Sequence, residues 1–219
     1  MVNTAMIFRI TVLMFLMMTP VRAESTILCV GDSITEGAES FEVYRYPLYK
    51  KLKEAGFHFK FIGSKESTHD GVKLKHNGYG GKNTQFLNSN IEAIYKENPA
   101  DFILLHSGHN SFAKDHPVKG IISATQGIIS KIQRINPKAV IIVAQVITSG
   151  KLPKYSYIPD LNKEIKKLAL EPTVMTVDMA SGFNWETDTI GDKVHPNKNG
   201  AEKMALKWFE ALSSFKERF

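Results

Sequence analysis

The chain has 219 residues, 43% of them hydrophobic, with 28 Lys and Arg against 22 Asp and Glu. That apolar content is enough for one ordinary globular domain with a sizeable core, and it excludes a disordered or fibrous chain. The formal charge of +6 is spread along the sequence and lacks the dense basic patch of a nucleic-acid binder, so nucleic acid is not an expected partner, although an anionic substrate or surface is compatible.

The first residues read as a secretory signal. Arg9 precedes the apolar run 10–18, and Thr19-Pro20-Val21-Arg22-Ala23 follows it. A basic start, a short apolar stretch and a small residue predict cleavage after Ala23, a mature domain over 24–219, and a secreted or periplasmic location. The run is too short to span a bilayer comfortably, and no membrane span is expected after its removal. Losing Arg9 and Arg22 takes the charge from +6 to +4. Cys29 is the only cysteine, which excludes an intrachain disulfide and a thiolate zinc site. Inside its apolar run it reads as a small buried hydrophobe.

Strand-like runs then alternate with helical patterns. Residues 27–30 form a first strand. Residues 46–55 carry Leu48, Leu52 and Ala55 and stop at Gly56, a helix-ending residue. Residues 57–62 are a second strand. Residues 83–97 place Phe86, Leu87, Ile91, Ile94 and Tyr95 on one helical stripe. Residues 102–105 are a third strand, and 118–135 an isoleucine-striped helix ended by Pro137. Residues 139–146 are almost entirely apolar and β-branched, as in a central strand buried on both faces. A helix over 158–170, a fifth strand over 174–177 and a closing helix over 199–212 complete the chain. Five strands separated by helices predict βαβ units, hence a parallel five-stranded sheet with helices on both faces.

Reactive groups in such sheets gather at the carboxyl ends of strands. The first strand stops at Gly31-Asp32-Ser33 and passes into a glycine-bearing turn ending at Gly37. Far down the chain stands Asp192-Lys193-Val194-His195. Ser33 is the candidate nucleophile, His195 the candidate base and then acid, and Asp192 the carboxylate that holds the imidazole tautomer. Asp188 is the reserve for the orienting acid. Asp32 is a poor choice, because an immediate neighbour of the serine cannot easily reach behind the His. The imidazole must be neutral to take the serine proton, so activity is expected to fall on acidification. Donors for a developing oxyanion can come from two segments: the glycine-rich 77–84, or 107–111, where Asn110 offers a side-chain amide. Each also reads as an ordinary loop.

These four segments, in this order, resemble the SGNH (GDSL-type) hydrolases, whose blocks centre on a Ser, a Gly, an Asn and a His. Here they match Gly31-Asp32-Ser33, Gly81, Asn110, and Asp192 through His195. The resemblance implies a flavodoxin-like three-layer α/β/α fold and ester hydrolysis without metal or other cofactor. It implies an oxyanion hole from the Ser33 N–H, the Gly81 N–H and the Asn110 side chain. One block departs: Gly-x-Asn-Asp is usual, and Gly108-His109-Asn110-Ser111 stands here, so weaker support of Asn110 is expected.

The first block, with Tyr44-Arg45-Tyr46-Pro47-Leu48 and the second strand, resembles the secreted carbohydrate-esterase branch, which implies removal of acetyl groups from polysaccharides. Residues 148–159 are polar and aromatic, and Phe183 and Trp185 precede Asp192. Aromatics beside polar groups suit sugar rings, but both rings also read as core caps under a long loop. Tyr79, His109 and Trp185 are the candidates for substrate contact. A lipolytic or thioester hydrolase of the same fold, or a non-catalytic α/β binding module, are the alternatives. The oligomeric state is not legible in the sequence.

Overall fold

The computed structural model describes residues 23–168 and 172–219. The expected signal, apart from Ala23, and residues 169–170 of the expected helix lie outside the described residues.

Five parallel strands form the body of the sheet. They are β1 (Ser25–Gly31), β2 (Phe59–Ile62), β5 (Phe102–His106), β6 (Val140–Ala144) and β7 (Val174–Val177). β1 pairs with β2 on one side and β5 on the other, and β6 and β7 follow beyond β5. Among the described residues the sheet has seven strands, not five. The additional pair is an antiparallel hairpin, β3 (Lys65–His69) and β4 (Val72–Gly78). Its end returns to β1, pairing Val30 with Asn77 and Gly31 with Gly78. β1 therefore meets β2 along its first half and β4 at its carboxyl end. β3 is an outer strand of sequence KESTH, polar and charged, as an open edge requires.

Helices cover both faces. α2 (Arg45–Glu54) and α7 (Lys198–Ser213) pack on one. α3 (Thr84–Glu97), α4 (Val118–Ile135) and α5 (Ile158–Ile165) pack on the other. A single turn, α6 (Trp185–Asp188), lies between β7 and α7. Strand side chains alternate between the two cores: Ile27 and Cys29 with Phe102, Leu104, Val140 and Ile142 on the first, Leu28 and Val30 with Ile103, Leu105, Ile141 and Val143 on the second. That alternation, with both faces apolar, is why the strands read as unbroken hydrophobic runs. Cys29 is fully buried, which pushes its thiol up to about 12.

Among the parallel strands the order is β2-β1-β5-β6-β7. Successive connections reverse direction at β1, so a crevice opens at its carboxyl end between β1 and β5. Gly31 ends β1 there. A Cβ on Gly31 would collide with the Thr35 hydroxyl and the His106 carbonyl, so only glycine lets the chain turn this tightly. Ser33 follows in a one-turn helix, α1 (Ser33–Glu36), capped by the Asp32 carboxyl on the Ile34 N–H at 3.0 Å.

Candidate active site

The turn that carries Ser33 is held from below by a buried cation. Arg45 is fully buried. Its Nε donates to the Thr35 carbonyl at 2.8 Å, and one terminal nitrogen donates to the Glu36 carbonyl at 2.9 Å and the Ser67 hydroxyl at 2.8 Å. The guanidinium thereby satisfies carbonyls at the end of α1 that have no partner within the helix. Glu36 ties the same turn sideways. One carboxylate oxygen accepts from Lys65 Nζ and the other from the Gly80 N–H at 2.5 Å.

His195 arrives on a tight loop after α6. The Ile190 N–H donates to the His195 carbonyl at 2.9 Å and Thr189 bridges Pro196. Asn197 then caps α7 through the Gly200 N–H at 3.1 Å. This puts His195 Nε2 2.8 Å from Ser33 Oγ, across 162 residues of chain. On the far side of the ring, Nδ1 lies 2.5 Å from Asp192 Oδ2. The other oxygen of Asp192 accepts the N–H groups of Val194 and His195 at 2.9 and 3.0 Å. Partial burial pushes the Asp192 carboxyl up, but the His195 imidazole and these two N–H groups outweigh it, and the net shift is downward. A carboxylate so held keeps its charge and fixes the ring tautomer.

The carboxylate on the imidazole is that of Asp192, and Asp188, the reserve acid, is committed to other partners. It is buried and accepts from the Asn184 N–H, Lys203 Nζ, Asn199 Nδ2 and the Thr187 hydroxyl. It ties the loop before Asp192 to α7.

The expected oxyanion donors border the same cavity, a cleft of about 400 Å³ lined by Ser33, Gly81, Asn110, His109, Tyr155 and His195 among others. Gly81 takes a left-handed φ of +72° with open space where a side chain would stand. Asn110 is also left-handed, at φ +62°, a conformation that Asn tolerates better than most residues. Its Nδ2 donates to the Lys82 carbonyl at 3.0 Å, which locks the amide to the Gly81 loop and leaves a second N–H free to donate. The loop carrying Asn110 is anchored where Tyr157 donates to the Gly108 carbonyl at 2.7 Å.

Of the three candidates for substrate contact, His109 lines the cavity. It is 2% exposed and meets Tyr155 edge-on at 5.1 Å. Burial, then the nearby His106, His195 and Lys154, hold its pKa well below the usual histidine range. Its Nδ1 lies 4.0 Å from Asp32 Oδ2. Burial pushes the Asp32 carboxyl up to about 7. Trp185 is placed elsewhere: its ring packs against Gly150, where a Cβ would strike it, and it is absent from the cavity lining. Phe183 belongs to the core. Tyr79 also stands outside the lining; its hydroxyl accepts from Asn77 and its ring meets Phe86.

Two contributors are not announced by the sequence. Phe41 stacks on His195, ring centroids 4.2 Å apart; its only signal is one aromatic in the polar run Glu39-Ser40-Phe41-Glu42. Glu36 stands out only as part of the Ser33 turn. Among the described residues, no cluster of three or more His, Cys, Asp or Glu side chains is placed to hold a metal ion, and no helix is long and apolar enough to cross a membrane.

No curated protein matches the chain. Several solved structures do. A carbohydrate esterase family 3 protein from Talaromyces cellulolyticus superposes with a TM-score of 0.77 at 21% identity, covering 89% of this chain and 99% of that one. A family 3 carbohydrate esterase of Clostridium thermocellum gives 0.75 at 25% identity, covering 89% and 100%. An acetyl esterase, solved as a serine-to-alanine mutant with an acetate ion, gives 0.77 at 21% identity, covering 88% and 98%. Residues 29–203 match the GDSL-like lipase/acylhydrolase family; the chain belongs to that family and is an ester hydrolase.

Proposed function

We propose that the protein is a serine esterase that removes short acyl groups, acetyl foremost, from a carbohydrate. One observation carries the reading: the hydrogen-bonded row Ser33 Oγ, His195 Nε2, His195 Nδ1, Asp192 Oδ2, at 2.8 and 2.5 Å, opening on a cavity of about 400 Å³. Ser33 Oγ attacks the ester carbonyl carbon as its proton passes to His195 Nε2, and Asp192 stabilises the imidazolium. The carbonyl oxygen becomes an oxyanion facing the Ser33 N–H, the Gly81 N–H and Asn110 Nδ2. Collapse breaks the bond to the sugar oxygen, which takes the proton from His195 and leaves as a hydroxyl. Water then attacks the acyl-enzyme with the same imidazole as base; the bond to Ser33 Oγ breaks, the serine takes that proton from His195, and the acid leaves.

The small cavity and the likeness to family 3 carbohydrate esterases and to an acetyl esterase support a short acyl group on a sugar. The basic and apolar character of residues 1–23 supports export, to the periplasm or beyond. The test is acetate release from a panel of acetylated glycans, with Ser33→Ala as control. Serine-dependent release is expected. In a chain-length series of nitrophenyl esters, a preference for octanoate over acetate would overturn the acetyl reading.

A further inference from the structure

The ionisable groups around the cavity are unequally committed. Asp192 is taken by His195, and Glu36 by Lys65 and the Gly80 N–H. His109 is held neutral by burial and its cationic neighbours. Lys151 and Lys154 also line the cavity, and among the described residues neither has a carboxylate within 4.0 Å. Both of these charges beside Ser33 are therefore positive and unpaired. Like charges gathered on one wall of a cleft attract an anion that enters it, the more so at low salt.

Lys154 is also held in place. Its ammonium lies 4.7 Å from the Phe112 ring centroid and 4.8 Å from that of Tyr155. Its carbonyl accepts the Ala113 N–H at 3.0 Å, which joins its loop to the Phe112 loop. Phe112 itself is 49% exposed and flanks a second cleft that shares Asn110 with the first. Lys114 Nζ lies 5.8 Å from the same centroid, so Phe112 offers its exposed part to sugar C–H groups with cations close by. A neighbouring cleft of about 650 Å³, which shares Glu36 and Phe41 with the first, carries both signs of charge, Glu39 and Glu42 with His69 and Lys198.

We propose that the ester's alcohol is an acidic sugar, its carboxylate lying at Lys151 and Lys154 and its ring against Phe112. This rests on the carbohydrate-ester reading above. The carboxylate pairs with the two ammonium groups that have no carboxylate of their own.

The experiment measures kcat/KM for acetate release from two size-matched acetylated oligosaccharides, a uronic acid oligomer and a neutral xylo-oligomer. The parent is compared with Lys151→Ala/Lys154→Ala and with Lys151→Arg/Lys154→Arg, and nitrophenyl acetate is the uncharged reference. The parent is expected to favour the uronic oligomer, and the preference to shrink as salt rises, because exposed charges are screened. The alanine pair is expected to lose about tenfold or more of the uronic-to-neutral ratio, and the arginine pair to keep most of it. Equal losses on all three substrates would mean that the lysines act only on the oxyanion's field, and would overturn the proposal. So would a uronic-to-neutral ratio that the alanine pair leaves unchanged, with the parent deacetylating both glycans. Hydrolysis of nitrophenyl acetate with release from neither glycan would remove the carbohydrate reading itself, and this proposal with it.

Discussion

Phe41 lies face to face on His195, with ring centroids 4.2 Å apart and planes 20° from parallel. The imidazole is thus held from three directions: Asp192 behind, Ser33 in front, and a phenyl ring on one face. The neighbouring Glu42 N–H donates to the Pro196 carbonyl at 3.3 Å, so the two loops are also joined through the backbone. Phe41→Ala is expected to lower kcat by about tenfold through loss of ring alignment, with only a modest fall in thermal midpoint because Phe41 is partly buried at the edge of the core. Steady-state kinetics with nitrophenyl acetate and a melting curve check both parts.

The two acids before His195 are expected to separate cleanly. Asp192→Asn leaves the ring without its anionic partner and is expected to lower kcat by roughly 10²- to 10⁴-fold. Asp188→Ala strips Lys203, Asn199 and the Asn184 N–H of a buried acceptor. Its expected cost is about 2 kcal/mol of stability, with kcat within about tenfold of the parent. Paired kinetics and chemical denaturation distinguish them.

Glu36 fixes the loop that brings Gly81 to the cavity, through the Gly80 N–H at 2.5 Å. Glu36→Gln keeps an acceptor for that N–H but loses the charge that holds Lys65. Glu36→Ala loses both. The expected order of kcat is parent, then Gln, then Ala, the last down by about 10- to 100-fold, since a displaced oxyanion donor acts on the transition state. KM for a small ester is expected to move less than kcat.

Much of this architecture is legible in the sequence, and the exceptions have physical reasons. β6 is buried along its whole length, so its apolar run identifies a central strand. Ser33 stands out because it directly follows the carboxyl end of a strand, and His195 because an Asp precedes it by three residues in a loop before a helix. The β3–β4 hairpin escapes the reading because its side chains are mostly charged or polar and its pairing lies at the sheet edge. Its signal is Asp70-Gly71, a two-residue link with both φ values positive, which is the preferred hairpin turn. Nothing in the sequence around Arg45 marks it as buried, and only the fold reveals that it is enclosed beneath α1. Trp185 resembles a sugar platform in sequence because nothing local announces Gly150, the distant glycine on which it rests.

Asp32 is set aside as the orienting acid, but its burial has a consequence for stability. Its folded-state pKa of about 7 stands above the ordinary value of 3.8. The unfolded chain therefore gives up this proton first as pH rises, and stability falls between the two values. The full penalty, on the order of 4 kcal/mol, is present above pH ~7 and absent below pH ~4. Asp32→Asn keeps the side-chain oxygen that caps α1 and removes the ionisation. Its thermal midpoint is expected to exceed the parent's at about pH 8 and to approach it at about pH 4. A midpoint difference that does not change with pH would contradict the assignment.

The proposed mechanism requires His195 to make the Ser33 hydroxyl nucleophilic. The most direct measurement is labelling of the intact, folded protein with a serine-reactive fluorophosphonate, followed by mass spectrometry of its peptides. One adduct is expected, on Ser33, formed in step with loss of esterase activity and slowed by several orders of magnitude in His195→Ala. An adduct on another residue, or labelling of Ser33 at the parent rate in folded His195→Ala, would contradict it.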